Sequence, residues 1–273
     1  MKLFDKAYKS NFNVIYAIKK GERNLIKVLV NGCNGKMGQT VCELLKQKDE
    51  FEICGGVDIT ERKSDFPIFT STEKIDVKPD VIIDFSVPIS TLNILKYADK
   101  NKTPVVIATT GFTAEQEKEI QEHAKSIPIF KSANMSFDVI MMKNLLKQIA
   151  PKLEGTDIEI TEIHHNRKID SPSGTAQMFA DSINESLGNK YHCEYNRHDK
   201  HEKRDKHEIG MSSIRGGNIV GEHIVQFFGE YETFEIKHTT YSRNVFAEGA
   251  IKASKFIKDK EKGLYDMDDL ANS

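Results

Sequence analysis

The sequence predicts an α/β protein of two domains. The first is built on a parallel sheet, and the second is α+β with a mixed, mainly antiparallel sheet. Three observations lead there. From Leu25 to about Asn134, short apolar runs alternate with amphipathic stretches, which implies right-handed crossovers and a sheet covered on both faces. Beyond Asn134 the pattern becomes helices, then consecutive strands joined by short turns. The chain has 273 residues, 38% of them hydrophobic, enough for two cores.

In order, the first domain reads as strands Ile26 to Val30, Phe51 to Val57, Val81 to Phe85, Pro104 to Ala108 and Pro128 to Phe130. Helices lie between them at Met37 to Gln47, Ser90 to Asp99 and Ala114 to Lys125. A helix at Val139 to Leu153 leads to the alternating strand Asp157 to Thr161, and another runs from Thr175 to Leu187. Asn189 to Glu208 is polar and reads as a long exposed loop. Strands Ile209 to Ile214, Ile219 to Phe228 and Thr233 to Thr240 follow, with turns at Arg215-Gly216-Gly217-Asn218 and Gly229-Glu230-Tyr231-Glu232. A last helix, Val245 to Lys258, can return to the first domain. The expected division is therefore residues 1–24 as an extension, 25–134 with 243–273 as the first domain, and 135–242 as the second.

Composition narrows the partners. A formal net charge of −2 gives no global basic field, so no nucleic-acid partner is expected. No apolar run approaches the roughly 20 residues that span a bilayer, so no membrane partner is expected either. Met1 to Asn24 lacks the continuous apolar stretch and cleavage site of a signal peptide and reads as a docked helix or a partly ordered extension. Cys33, Cys42, Cys54 and Cys193 show no C-x-x-C spacing, which favours the reduced thiols of a cytoplasmic protein over a disulfide framework.

Gly32-Cys33-Asn34-Gly35-Lys36-Met37-Gly38 sits between the first strand and the first helix. Its glycines fit the Rossmann-type dinucleotide loop: one for the tight turn, one for approach to a pyrophosphate, one for helix–strand packing. The middle glycine of the plain motif falls at Asn34, a residue that tolerates left-handed backbone. Asp58 ends the next strand, where an acid binds a ribose 2′-OH. Arg62 and Lys63 follow and would attract a 2′-phosphate instead, so NADH and NADPH both remain open. Ala108-Thr109-Thr110 and Ser132-Ala133-Asn134-Met135 lie at further strand ends and either line the cofactor or are ordinary loops.

Glu162-Ile163-His164-His165-Asn166-Arg167-Lys168-Ile169-Asp170-Ser171-Pro172-Ser173-Gly174-Thr175 joins a strand to a helix start. Cations beside free helix N–H groups make an anion site, and a His beside a Lys moves protons near neutral pH. The run reads as a loop that holds an acidic small molecule and protonates it. Ser173-Gly174-Thr175 also reads as a plain N-cap, and both roles hold together. His192, His198, His201 and His207 have neither i,i+4 helix spacing nor cysteine partners, so no metal is expected.

Together these residues resemble the 4-hydroxy-tetrahydrodipicolinate reductase (dihydrodipicolinate reductase) family. Glu162 to Ala176 looks like its E-x-H-H-x-x-K-x-D-x-P-S-G-T-A signature, and Gly32 to Gly38 is similar to its cofactor loop. Ala108 to Phe112, Ile214 to His223 and Gly263 to Met267 resemble three further segments, so the likeness runs from about Leu25 to Leu270. Met135-Ser136-Phe137-Asp138-Val139-Ile140 departs from it, with Asp138 in place of a glycine and Ile140 in place of a polar residue.

The resemblance implies hydride transfer from NADH or NADPH to a cyclic dicarboxylate in the diaminopimelate route to lysine. It implies His164 as proton donor, Lys168 as the cation that assists protonation, and His165 with Ser173, Gly174 and Thr175 on the substrate's carboxylates. The cofactor would be held by Gly32, Cys33, Asn34, Gly35, Lys36, Met37, Asp58, Ala108, Thr109, Thr110, Ser132, Ala133, Asn134 and Met135. It also implies a homotetramer formed through the second domain's sheet. Two other readings stand beside it. One is another two-domain NAD(P)-dependent oxidoreductase, such as a diaminopimelate or semialdehyde dehydrogenase, the latter needing a loop thiol. The other is a non-catalytic NAD(P)-binding sensor.

Overall fold

In the first unit, β1 (Ile26–Asn31) lies between β2 (Phe51–Val57) and β4 (Val81–Asp84), with β3 (Ile68–Phe69) beyond β2. β5 (Val105–Ile107) and β6 (Pro128–Lys131) continue on the β4 side, and these pairings are all parallel. Val28, Leu29, Val30, Ile82, Ile83 and Val106 are fully buried, which is why these strands read as unbroken apolar runs. The chain leaves β1 in one direction and returns at β4 in the other. That reversal opens a crevice at the carboxyl ends of β1 and β4.

The helices of this unit start where the local chemistry dictates. Gly35 caps α1 (Lys36–Leu45), and Pro88 opens α2 (Pro88–Asn101), where its missing N–H costs nothing. Thr113 and Gln116 form a reciprocal capping box at α3 (Ala114–Ala124).

The computed structural model describes residues 25–198 and 200–273; the expected helix or extension over residues 1–24 lies outside the described residues. By contacts, the described chain separates into one unit of residues 25–131 and 251–264 and another of 132–250 and 265–273. The second unit therefore begins ahead of residue 135, and the return falls after residue 250 instead of at 243.

The second unit contains α4 (Phe137–Ile149), β7 (Asp157–His164), α5 (Gly174–Ser186), β8 (His192–Glu194), β9 (Glu208–Arg215), β10 (Gly221–Phe228) and β11 (Thr233–Thr240). Its sheet runs β11-β10-β7-β9-β8. β10 is antiparallel to β7 and β11, whereas β9 is parallel to β7 and β8. The sheet is mixed, as expected, but the parallel share is larger because the chain crosses over through α5 before β9. Ile158, Ile160, Met211, Val225 and Phe227 bury one face against Met142, Leu146, Phe179 and Ile183 of the helices.

The polar stretch Asn189 to Glu208 is less free than its composition suggests. It contributes β8, and Arg197 clamps the buried Glu208 carboxylate at 2.6 and 2.7 Å. Arg204 adds hydrogen bonds to the Ile158 and Glu208 carbonyls and an ion pair with Glu159. After α6 (Asn244–Ile257), β12 (Gly263–Tyr265) extends the first sheet beside β6, and Asp266 caps α7 (Met267–Ala271) with Asp269 completing the box.

Candidate active site

In the first unit the glycine loop is forced by space. Gly32 has φ +77°, and a Cβ there would lie 2.4 Å from the Phe85 carbonyl oxygen. A Cβ on Gly38 would lie 2.0 Å from the Gly32 oxygen, so α1 packs on the turn only through glycine. At Gly35 a Cβ would lie 3.2 Å from the Gly32 oxygen, a tighter contact than side chains usually make, so a side chain there would press on the turn. Asp58 accepts from the Asn34 N–H at 2.9 Å and the Ile59 N–H at 2.8 Å, and each carboxylate oxygen keeps a further acceptor site. Gly32, Asn34, Gly35 and Asp58 line one cleft of about 730 Å³ with Ser86, Val87 and Ser90. Arg62 and Lys63 line a smaller neighbouring cleft of about 180 Å³ that also touches Asn34.

Cys33, Lys36 and Met37 complete the turn. Burial pushes the Cys33 thiol up to about 12, so it is no nucleophile at neutral pH. Thr109 is buried at the end of β5, while Thr110 is exposed and Ala108 half-buried. The sequence reading passed over the group that holds Thr109, the buried Asp84. It accepts hydrogen bonds from Asn31 at 2.8 Å, Ser86 at 2.5 Å, Thr91 at 2.6 Å and Thr109 at 2.9 Å. Burial raises the Asp84 carboxyl, against the pull of these four donors. An acid ending an otherwise apolar strand at the sheet's reversal was its only sign.

In the second unit the His-His run closes on a buried carboxylate. Glu162 and His164 alternate onto one face of β7, and His164 Nδ1 meets Glu162 Oε2 at 2.5 Å. Arg215 on β9 donates to both Glu162 oxygens, at 2.9 and 2.6 Å. Burial pushes the Glu162 carboxyl up, but Arg215, Ser213 and His164 together hold it down at about 2. Burial pushes the His164 imidazole below its ordinary value against the pull of Glu162, and the Lys168 and Arg215 charges deepen the fall. Lys168 sits on the same loop and is ion-paired to exposed Asp170 at 2.8 Å.

Ser173 caps α5 by accepting from the Ala176 N–H at 3.1 Å. This leaves the Gly174 and Thr175 N–H groups of the first turn without an intrahelical partner, the geometry that binds a carboxylate. Ser173 Oγ also meets His223 Nε2 at 3.0 Å. Burial, then the nearby His164, lowers the His223 imidazole to about 4, so it stays neutral. His165 Nδ1 is buried with no hydrogen-bond partner among the described residues. Asn134 donates to the Thr175 hydroxyl at 3.2 Å, and Met135, Ser132 and Ala133 flank it in this second unit. Asp138 lies exposed in the first turn of α4, where it suits the helix dipole, and Ile140 is buried.

Arg215 and His223 were within the segment singled out by resemblance but carried no assigned role. Arg167 faces outward onto Asn218, and Arg243 is exposed. His207 lies beside Asp205 and edge-on to Tyr191.

A glycine-cradled cleft with an acid at its rim, and a separate buried His–carboxylate pair beside a lysine and a capped helix start, define a two-domain oxidoreductase of the nicotinamide-dinucleotide type. The families described as "Dihydrodipicolinate reductase, N-terminus" and "Dihydrodipicolinate reductase, C-terminus" match residues 26–135 and 138–271. The chain belongs to the dihydrodipicolinate reductase family. A 4-hydroxy-tetrahydrodipicolinate reductase of Caldanaerobacter subterraneus subsp. tengcongensis is 48% identical over 90% of this chain and 98% of its own length. One from Clostridium tetani is 47% identical over 91% and 98%. The dipicolinate-bound dihydrodipicolinate reductase from Paenisporosarcina sp. TG-14 superposes with a TM-score of 0.74 at 25% identity, covering 91% of this chain and 99% of that one.

Proposed function

We propose that the chain reduces 4-hydroxy-tetrahydrodipicolinate to tetrahydrodipicolinate with NADH or NADPH. The observation that carries this reading is the association of His164, Lys168 and the Ser173-capped helix start on one loop, in a chain of this family. Loss of the substrate's hydroxyl as water leaves a carbon–carbon double bond in its ring, and a dinucleotide held in the glycine-loop cleft would supply the hydride to one carbon of that bond. Gly32, Asn34 and Gly35 give it backbone approach, and Asp58 accepts from a ribose hydroxyl. Cys33, Lys36 and Met37 complete this turn, while Ala108, Thr109, Thr110 and the segment Ser132 to Met135 contribute at the neighbouring strand ends.

His164 delivers the proton to the adjacent carbon and ends as neutral imidazole. Lys168 stabilises negative charge developing on the ring. Gly174 and Thr175 offer their N–H groups to one substrate carboxylate, Ser173 its hydroxyl, and His165 holds the other carboxylate. Asp58 favours NADH and the Arg62-Lys63 pair favours NADPH, and the balance between them sets which of the two is preferred.

The expected roles transfer to the observed units, the one of residues 25–131 and 251–264 for the dinucleotide and the one of 132–250 and 265–273 for substrate and assembly. Thr161, Ile163, Ile214, Ile224 and Gln226 share the sheet face opposite the helices, with Ile214 paired to Ile163 and Ile224 to Thr161. We read that face as the contact of a cytoplasmic homotetramer, checked by sedimentation of the purified chain.

The activity test is direct. Purified protein oxidises NADH or NADPH when 4-hydroxy-tetrahydrodipicolinate is supplied and not otherwise. Cofactor binding with no turnover on that substrate would overturn this reading.

A further inference from the structure

We propose that Glu162 is the positioning residue of the proton donor: clamped by Arg215, it fixes the His164 ring by its Nδ1–H and leaves Nε2 as the atom that gives up the proton. This deepens the proposed function and rests on it for the identity of the proton acceptor.

Glu162 is occupied on both carboxylate oxygens. Its side chain is fully buried. Oε1 accepts from Arg215 Nη2 at 2.6 Å and from the Ser173 N–H at 3.2 Å. Oε2 accepts from Arg215 Nη1 at 2.9 Å and faces His164 Nδ1 at 2.5 Å. A carboxylate has about four acceptor sites; Arg215 fills two of them, and the Ser173 N–H, the Ser213 hydroxyl of the register partner and His164 Nδ1 share the rest. An ionised carboxylate has no proton to give, so Nδ1 must be the donor in that pair. The neutral imidazole is therefore the Nδ1–H tautomer, and the proton gained or lost is the one on Nε2.

The other side of the ring agrees. A Cβ on Gly221, at the start of β10, would lie 3.1 Å from His164 Nε2, so that edge is flanked by a residue with no side chain. Arg215 is the register partner of His164 across β7 and β9, which brings the guanidinium to Glu162 without a loop having to order. The same carboxylate takes the backbone N–H of Ser173. Glu162 thus ties the donor's strand to the helix start assigned to the substrate carboxylate.

The charged and titratable groups facing His164 are Glu162 from its own strand, Lys168 from the loop, Arg215 from β9 and His223 from β10, the last edge-on at 5.2 Å. Among them only Glu162 favours the imidazolium. Without it, Arg215 would stand unneutralised beside the ring, and the acid form would be reached only at lower pH.

Nitrogen-15 NMR of histidine-labelled, ligand-free protein tests this, with His164→Gln assigning the signal. The expected result is protonated Nδ1 and bare Nε2 on the alkaline side of the titration. In Glu162→Gln the titration midpoint falls by roughly one pH unit. The loss of kcat/KM with rising pH moves down by the same amount, while dinucleotide affinity stays within twofold. A wild-type Nε2–H tautomer, or an unchanged His164 titration in Glu162→Gln, overturns the proposal. If Glu162→Gln does not fold, the wild-type tautomer alone decides. Because the NMR needs neither substrate nor turnover, failure of the activity reading is seen separately, in an inactive enzyme that still shows Nδ1–H.

Discussion

The Thr109 hydroxyl donates to buried Asp84 at 2.9 Å and accepts from the Ser86 N–H at 2.9 Å. One hydroxyl thus joins the end of β5 to the end of β4, at the rim where the glycine loop opens. Asp84→Ala would strand the donors of Asn31, Ser86, Thr91 and Thr109 together. The expected loss is about 3 kcal/mol of stability, from buried donors left without an acceptor. The Ser86–Val87 rim of the cleft loosens with it, so dinucleotide Kd rises about tenfold, the equivalent of one such hydrogen bond. Urea unfolding and a fluorescence titration with NADH check both, and an unchanged Kd would confine Asp84 to stability.

The proposed role of Asp58 in cofactor choice is tested by a ratio. It both accepts from the loop N–H of Asn34 and ends β2 at the cleft. Asp58→Ala disturbs the loop for NADH and NADPH alike, so the common loss cancels in their ratio. What remains is the ribose hydrogen bond, worth about 1.5–3 kcal/mol to a charged acceptor. KM for NADH should rise about 10- to 100-fold relative to that for NADPH, with Arg62 and Lys63 left unopposed. An unchanged ratio would remove Asp58 from ribose recognition.

Some of this architecture is written locally and some is not. β1, β4 and β5 announce themselves because strands buried on both faces must be apolar throughout. β3 and β8 do not, since two or three residues show no period and are fixed only by pairing with β2 and β9. The glycine loop and the His-His run are local in sequence, so their chemistry could be read there. The Arg215–Glu162 clamp joins residues 53 apart, and nothing at Arg215 itself reveals that its partner is buried. Asp84 is hidden for a related reason: its four donors come from β1, the loop after β4, α2 and the end of β5.

Ser173 caps α5 and is proposed to bind a substrate carboxylate, and one substitution separates the two roles. As N-cap it satisfies the Ala176 N–H, and Ser173→Ala should cost about 1 kcal/mol on that account. As a ligand to the substrate carboxylate, its loss should raise substrate KM about tenfold, one lost hydrogen bond to a charged group. Dinucleotide Kd should not move. A capping role alone predicts the stability change with KM intact, so steady-state kinetics beside thermal unfolding discriminate between them.

Glu162 also sets how the protein meets acid. Its carboxyl is held at about 2, below the ordinary 4.5, because Arg215, Ser213 and His164 outweigh the cost of burial. A depressed carboxyl stabilises the fold above the unfolded value, and that stability is lost as pH falls toward the folded value. The window is therefore about pH 4.5 down to about 2, and the contribution is on the order of 3 kcal/mol. Other carboxylates here are depressed too, so the readout is the difference between wild type and Glu162→Gln. Urea midpoints measured from pH 6 to pH 2 should converge as the pH falls, because the variant has no carboxylate to protonate. Parallel curves across that range would show that Glu162 is not ionised in its pocket, and the assignment of Nδ1 as donor to it would fall as well.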